Sequence, residues 1–239
     1  MTFVVVTGTG TGVGKTVATA ALACALRADG LAVGVVKPVQ TGTDVGLPTD
    51  VETVRSLTGC LSTYELVRLG EPLAPDTAAT RAGVTIPAVA DLVPEIVSIG
   101  AAADVTLVEG AGGVLVRLDQ AGGTLADLAC ALRRSGATLT VVTVTTLQLG
   151  TLNQTELTVE ALRRRGLEPA GIVLGSFPAA PELAETCNVT ELPRVTGLPV
   201  LASIPAGAGG WSRERFVAEA PGWVAVSALL APDRPGRQR

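Results

Sequence analysis

The sequence predicts an α/β fold, a mostly parallel sheet with helices on both faces, and three observations point to it. Short apolar runs alternate with helix-patterned segments along the chain, as in sheets assembled from β-α-β units. Hydrophobic residues make up 47% of the chain but aromatics only 3%, so the core must consist of small aliphatic side chains packed closely between helices and strands. The chain opens with a strand, a glycine-studded loop and an alanine-rich helix in direct succession.

The elements follow in order. Residues 3–7 form the first strand, 15–28 a helix ending at Asp29-Gly30, and Leu31–Val36 a second strand that runs into Lys37-Pro38. A polar loop leads to a short helix over 50–58, with Asp50 placed as its N-cap. Residues 59–86, rich in Pro, Gly and Thr, show no clear period and predict irregular structure with one helix near Thr77–Arg81. A helix over Pro87–Ile99 precedes the strand Val105–Val108, which ends at a second glycine-rich turn, Glu109-Gly110-Ala111-Gly112-Gly113. Next come a helix over 124–134, the strand Thr138–Val144 and a helix over Thr151–Arg165 stopped by Gly166. Ala170–Leu174 and Leu198–Ile204 read as the last strands, with a helical stretch interrupted at Pro193 between them. A final helix spans Arg213–Leu230, and the charged, proline-rich residues 232–239 read as a disordered tail. With neither a repeat nor a linker, residues 1–231 read as one domain.

Charge and composition exclude several functions. A net charge of −4 gives no general attraction to nucleic acid or anionic lipid. No signal segment or membrane-length apolar run is evident, so a cytoplasmic location is expected. The four cysteines, at 24, 60, 130 and 187, lack metal-ligand spacing, and Cys24 and Cys130 read as apolar filler in helices. Histidine is absent altogether, which excludes Ser-His triads, histidine acid-base chemistry and the usual zinc sites. Catalysis must then rest on lysine, carboxylates, hydroxyls, backbone and metal.

The loop Thr7-Gly8-Thr9-Gly10-Thr11-Gly12-Val13-Gly14-Lys15-Thr16 carries the strongest chemical signal. Backbone N–H groups of small residues can converge on phosphate oxygens there, with the positive end of the helix facing the anion. Lys15 adds a mobile charge, and Thr16 offers a hydroxyl to Mg²⁺. The usual position of the first glycine falls on Thr9, which marks a branch of the phosphate-loop superfamily with its own loop variant. The fold class is accordingly a phosphate-loop NTPase type of three-layer sandwich.

In such sheets ligands bind beyond the carboxyl ends of the strands, and the notable polar residues fall at those ends. Lys37 follows the second strand and Glu109 the strand at 105–108. Taken singly, Lys37 could be a solvated lysine, Glu109 a strand-end cap and Asp50 a helix cap. Together they supply a cation and two carboxylates to the edge where the phosphate loop lies, and Glu109 is suited to a metal.

Four segments resemble the dethiobiotin synthetase family, in the family's order and across nearly the whole chain. These are the phosphate loop Gly8–Thr16, Lys37-Pro38-Val39 with Thr41-Gly42, Val108-Glu109-Gly110-Ala111-Gly112-Gly113, and Leu149-Gly150-Thr151-Leu152-Asn153. The resemblance implies a homodimer that uses 7,8-diaminopelargonate, CO₂ or bicarbonate, Mg²⁺ and ATP or another nucleoside triphosphate, with no nucleic acid or membrane partner.

It also implies roles. Lys37, Lys15 and Thr11 would be catalytic, with the two lysines flanking the transferred phosphate, and Thr16, Asp50 and Glu109 would hold Mg²⁺. The nucleotide would meet Gly12, Val13, Gly14, Lys15, Thr16, Val17, Glu109 and Gly112, with Gly175, Ser176, Pro205, Ala206 and Gly207 about the base. The diamine would meet Thr11, Lys37, Thr41, Gly112 and Gly113, and its carboxylate the backbone at Leu149, Gly150, Thr151, Leu152 and Asn153 of the partner subunit.

This chain departs from the family pattern in places. Asn153-Gln154 and Pro75-Asp76 stand where the family commonly has Asn-His and Pro-His. Gly175 stands where family members often carry an adenine-reading asparagine, so loose, backbone-driven base recognition is expected. Two rival classes fit less well. Partition and septum-site ATPases carry a second lysine where this chain has Gly10, and the Asn-Lys-x-Asp motif of GTPases does not occur.

Overall fold

The computed structural model describes residues 1–60 and 62–230; the tail expected to be disordered lies outside the described residues. Strands β1 (Thr2–Gly8), β2 (Val33–Gln40), β3 (Thr63–Arg68), β4 (Val105–Glu109), β5 (Thr138–Thr145), β6 (Gly171–Phe177) and β7 (Val200–Pro205) form one sheet in the order β3-β2-β4-β1-β5-β6-β7. Every pairing is parallel. The strands β2, β4 and β1 are therefore neighbours, and their carboxyl ends deliver Lys37, Glu109 and the phosphate loop to one edge.

Strand periodicity separates the two faces. On β1, Val4 and Val6 point into a cluster with Ala21, Leu22 and Leu26 of α1 (Lys15–Ala28), while Phe3 and Val5 point into one with Leu92, Ile96 and Leu128. The first face is covered by α1, α2 (Asp50–Thr58) and the C-terminal segments. The second is covered by α3 (Pro75–Ala82), α4 (Val89–Gly100) and α5 (Leu125–Arg134). The pair α6 (Thr151–Arg163) and α7 (Leu183–Thr196) packs beside β5 and β6.

Four expectations are corrected. Strand β2 does not stop at Val36 but runs to Gln40, because β3 pairs along its whole second half, Lys37 opposite Glu65 and Gln40 opposite Arg68. That strand β3 itself was hidden in the segment expected to be irregular. On this edge strand three of six side chains are half-buried and two exposed, so no continuous apolar run marks it. Helix α7 passes through Pro193, which lies in its closing turns and there costs one N–H bond. The expected C-terminal helix is broken into α8 (Arg213–Glu219), a 3₁₀ turn over Ala220–Trp223 and α9 (Val226–Leu229). Pro221-Gly222 breaks it, and the break lets Trp223 meet Trp211 and Phe216 edge to face, with ring centroids 5.5 and 5.4 Å away.

Candidate functional site

The phosphate loop is pinned at both ends by backbone contacts. At its start the Thr9 N–H donates to the Val144 carbonyl on β5 (3.0 Å). At its end Gly14, in the left-handed conformation at φ 95°, lies against Gly175 of β6. A Cβ on Gly14 would stand 2.4 Å from the Gly175 carbonyl oxygen, and one on Gly175 would stand 2.0 Å from that of Val13. Both positions therefore require glycine if the loop is to keep its place. The sequence identified Gly175 only as a missing base reader; the contact gives it a packing role of its own.

The charged groups converge toward the carboxyl ends of β2 and β4, with Lys37 inside β2 and Glu109 the last residue of β4. The Lys37 ammonium, only 3% exposed, donates to Glu109 Oε1 (3.1 Å) and the Gly110 carbonyl (2.8 Å) and also pairs with Asp50. The Thr16 hydroxyl lies 2.9 Å from Asp50 Oδ1 and 2.9 Å from Glu109 Oε1. Lys15 reaches back to donate to the Gly10 carbonyl (2.6 Å).

Burial first, and then the positive charge of Lys37, lower the Lys15 pKa to about 8 against the pull of Glu109 and Asp50. Burial also works against charge on Lys37, but Glu109 and Asp50 outweigh it and raise that pKa. Glu109, fully enclosed, is raised by burial despite Lys37, whereas Asp50 is held low because Lys37 and Thr16 overcome its burial. Lys15, Lys37, Asp50 and Glu109 thus share one electrostatic field.

Asp50 is not the helix cap. Thr49 is, in a capping box with Glu52, which leaves Asp50 free at the first helical position to face Thr16 and Lys37. Sequence reasoning missed Gln40, which completes this support: its Oε1 accepts from the Asp50 N–H (3.2 Å) and its Nε2 donates to the Thr41 carbonyl (2.8 Å). The signal was its place inside the Lys-Pro-Val-Gln-Thr-Gly segment, but nothing there revealed the partner.

The donors Thr16, Asp50 and Glu109 are all hard oxygens. One hydroxyl and two carboxylates fit Mg²⁺, which takes few protein ligands and completes its shell with substrate phosphate and water.

The remaining expected residues fall around this centre. A Cβ on Gly112 would stand 3.6 Å from the Thr11 hydroxyl, and one on Gly113 3.6 Å from the carbonyls of Gly8 and Thr9, so the two glycine-rich turns face each other. Thr41 and Gly12 lie half-buried and exposed respectively at the same strand ends. Ser176 sits on β6 one residue past Gly175, the Ala206 N–H donates to the Phe177 carbonyl (2.8 Å), and Gly209 abuts Val17. Pro205, Ala206 and Gly207 are thereby brought beside the start of α1 and the end of β6.

The segment Leu149–Asn153 lies after β5, the strand next to β1. Leu149 is 87% exposed, Gly150 caps α6 at φ 93°, and Asn153 is exposed within the first turn, so it is not the cap. Thr151 differs from the others: its side chain is buried and its N–H already donates to the Gln148 carbonyl (3.1 Å).

The family model described as AAA domain matches residues 2–208. A relative from Rhodococcus jostii (strain RHA1), ATP-dependent dethiobiotin synthetase BioD, is 51% identical over 223 residues, 93% of this chain and 94% of the relative. Another of the same name from Corynebacterium kroppenstedtii is 50% identical over 237 residues, 99% of this chain and 97% of the relative. Among solved structures, the septum site-determining protein MinD of Pyrococcus horikoshii OT3, complexed with Mg-ADP, aligns with a TM-score of 0.57 over 96% of this chain and 93% of that one. At 19% identity it shares the fold alone. Full-length similarity to relatives of one name, on a site built from the segments that carry the resemblance, settles the assignment: this chain belongs to the ATP-dependent dethiobiotin synthetase family.

Proposed function

We propose that this chain closes the ureido ring of dethiobiotin from 7,8-diaminopelargonate, CO₂ and a nucleoside triphosphate. The observation that carries the reading is the meeting of Lys37, Asp50, Glu109 and Thr16 beside the phosphate loop. One amine of the diamine adds to CO₂ and loses a proton, giving a carbamate. A carbamate oxygen takes the γ-phosphoryl group as the bond to the leaving nucleoside diphosphate breaks. The second amine attacks the carbonyl of the mixed anhydride, phosphate departs and the five-membered ring closes.

No protein nucleophile is needed. Phosphoryl transfer asks for alignment and neutralised charge, which Lys15, the loop N–H groups and Lys37 can supply without histidine. Lys37, held by two carboxylates, is fixed in position and charged, suited to orienting the carbamate oxygen. Thr16, Asp50 and Glu109 would hold Mg²⁺, which when bound neutralises charge on the phosphate oxygens. Ring closure gains from proximity, where effective molarities reach on the order of 10⁵ M. Thr11, Gly112 and Gly113 would line the reacting centre, with Thr41 beside Lys37.

The diamine carboxylate is read by the partner subunit of a homodimer. With the Thr151 N–H engaged, the backbone donors of Leu152 and Asn153 fall to this task at the start of α6. Leu149 before α6 and Leu157 on it are both exposed apolar side chains, which supports a second copy as the cover. The same reading places the reaction in the cytoplasm, and among the described residues no helix is long and apolar enough to cross a membrane.

Reaction in ¹³C-bicarbonate tests the proposal: the product must carry one ¹³C in its ring carbonyl. Unlabelled product, or none, would overturn it.

A further inference from the structure

Four threonine hydroxyls tie the phosphate loop to the start of α6. Thr145, the last residue of β5, lies 3.3 Å from the Thr9 hydroxyl, 2.8 Å from that of Thr151 and 2.9 Å from that of Thr155. Thr145, Thr151 and Thr155 are each 2% exposed or less. Thr9 is the residue that stands where a phosphate loop ordinarily has its first glycine, and its departure from the usual spacing is what makes the tie possible.

Proton counting fixes the direction of every bond. Each hydroxyl has one proton to give. Thr151 gives its proton to the Thr146 carbonyl (2.7 Å), so toward Thr145 it can only accept. Thr145 therefore donates to Thr151 and, having no second proton, can only accept from Thr9 and Thr155; Thr155, which also lies 3.4 Å from the Thr151 hydroxyl, shares its one proton between the two. Among the described residues, Thr145 is the one node through which side-chain hydrogen bonds join the loop to the helix start, and a buried hydroxyl left without its partner there is costly.

We propose that Thr145 is a positioning residue that makes the phosphate loop and the segment 149–153 move as one unit, coupling nucleotide binding to diamine binding. The second half rests on the function proposed above, because 149–153 is there the segment that receives the diamine carboxylate. Since that segment serves the neighbouring subunit, the tie links the nucleotide held by one protomer to the diamine held by the other. Coupling of this kind must be reciprocal: each ligand tightens the other by the same factor.

The test compares Thr145→Val, which keeps the shape and removes the hydroxyl, with Thr145→Ser, which restores it. Without ligands, amide exchange followed by NMR should be about tenfold faster in the valine variant at Thr9, Thr151 and Gln154, with β4 unchanged, and normal in the serine variant. The KM for diaminopelargonate should rise about tenfold in the valine variant with kcat within threefold, and the serine variant should match the wild type. Unchanged exchange, acceleration at only one end, or failure of serine to rescue overturns the tie. Faster exchange at both ends with an unmoved KM overturns the coupling. Wild-type protein that releases no phosphate in response to diamine instead overturns the proposed function, and the exchange comparison still decides on the tie.

Discussion

Lys37 and Glu109 meet at 3.1 Å inside the protein, from adjacent strands, with neither side chain more than 4% exposed. Two buried charges in contact are poor evidence of stabilisation by themselves, because desolvation offsets much of their attraction. Their value is positional: the pair holds an ammonium and a metal-suited acid at a fixed place beside the phosphate loop.

Removing one member separates position from affinity. Lys37→Met should lower kcat at least a thousandfold while the nucleotide Kd, measured by calorimetry, changes less than fivefold. Lys15→Ala should weaken both. The methionine variant should also lose stability, about 3 kcal/mol or more by denaturant titration, because Glu109 keeps its burial and loses its partner.

Gly175 predicts a failed rescue. Gly175→Asn restores the residue that commonly reads adenine in the family, but its Cβ would enter the carbonyl of Val13 at 2.0 Å. The variant should melt several degrees lower and bind triphosphates more weakly, without gaining selectivity for ATP. In the wild type, kcat/KM should favour ATP over other triphosphates by less than a hundredfold, or about 3 kcal/mol.

Thr49 predicts a smaller effect by the same logic of support. Thr49→Ala removes the hydroxyl that caps α2 and should cost about 1 kcal/mol, or roughly 3 °C in Tm. Because Asp50 is the next residue, half-saturation by Mg²⁺ should also need several-fold more of the ion in a titration of activity.

Cys24 predicts the alkaline behaviour. Burial, opposed by Arg27 and aided by Cys60, raises its thiol from 9.0 to about 11. A folded-state pKa above the unfolded one gives stability that is complete below pH 9 and lost as pH rises toward 11. Thermal melts should fall across that window, and fall less in Cys24→Ala. At pH 8 a disulfide reagent should modify the exposed Cys187 promptly and Cys24 only on unfolding.

The legible parts of this molecule are those where local chemistry repeats the global plan. Helices 15–28 and 50–58 fall where their glycine stops and polar starts put them, and the strands that carry the loop, Lys37 and Glu109 each hold a run of valine or leucine. Strand β3 was illegible because an edge strand needs no buried run, and the C-terminal break because aromatic packing around Trp223 decided it. In the site, residue types and strand ends were readable. Which oxygen meets which hydroxyl was not, since Gln40 to Asp50 and Thr9 to Thr145 are contacts across ten residues and 136.

In the proposed reaction two ammonium groups and a metal-holding acid act on a single phosphoryl group bound for the diamine. Phosphate release by the purified protein, with triphosphate, bicarbonate and Mg²⁺ present, tests it most directly. Release should appear only when diaminopelargonate is added and vanish in Lys37→Met. Release that ignores the diamine, or that DNA or lipid stimulates in its place, would contradict it.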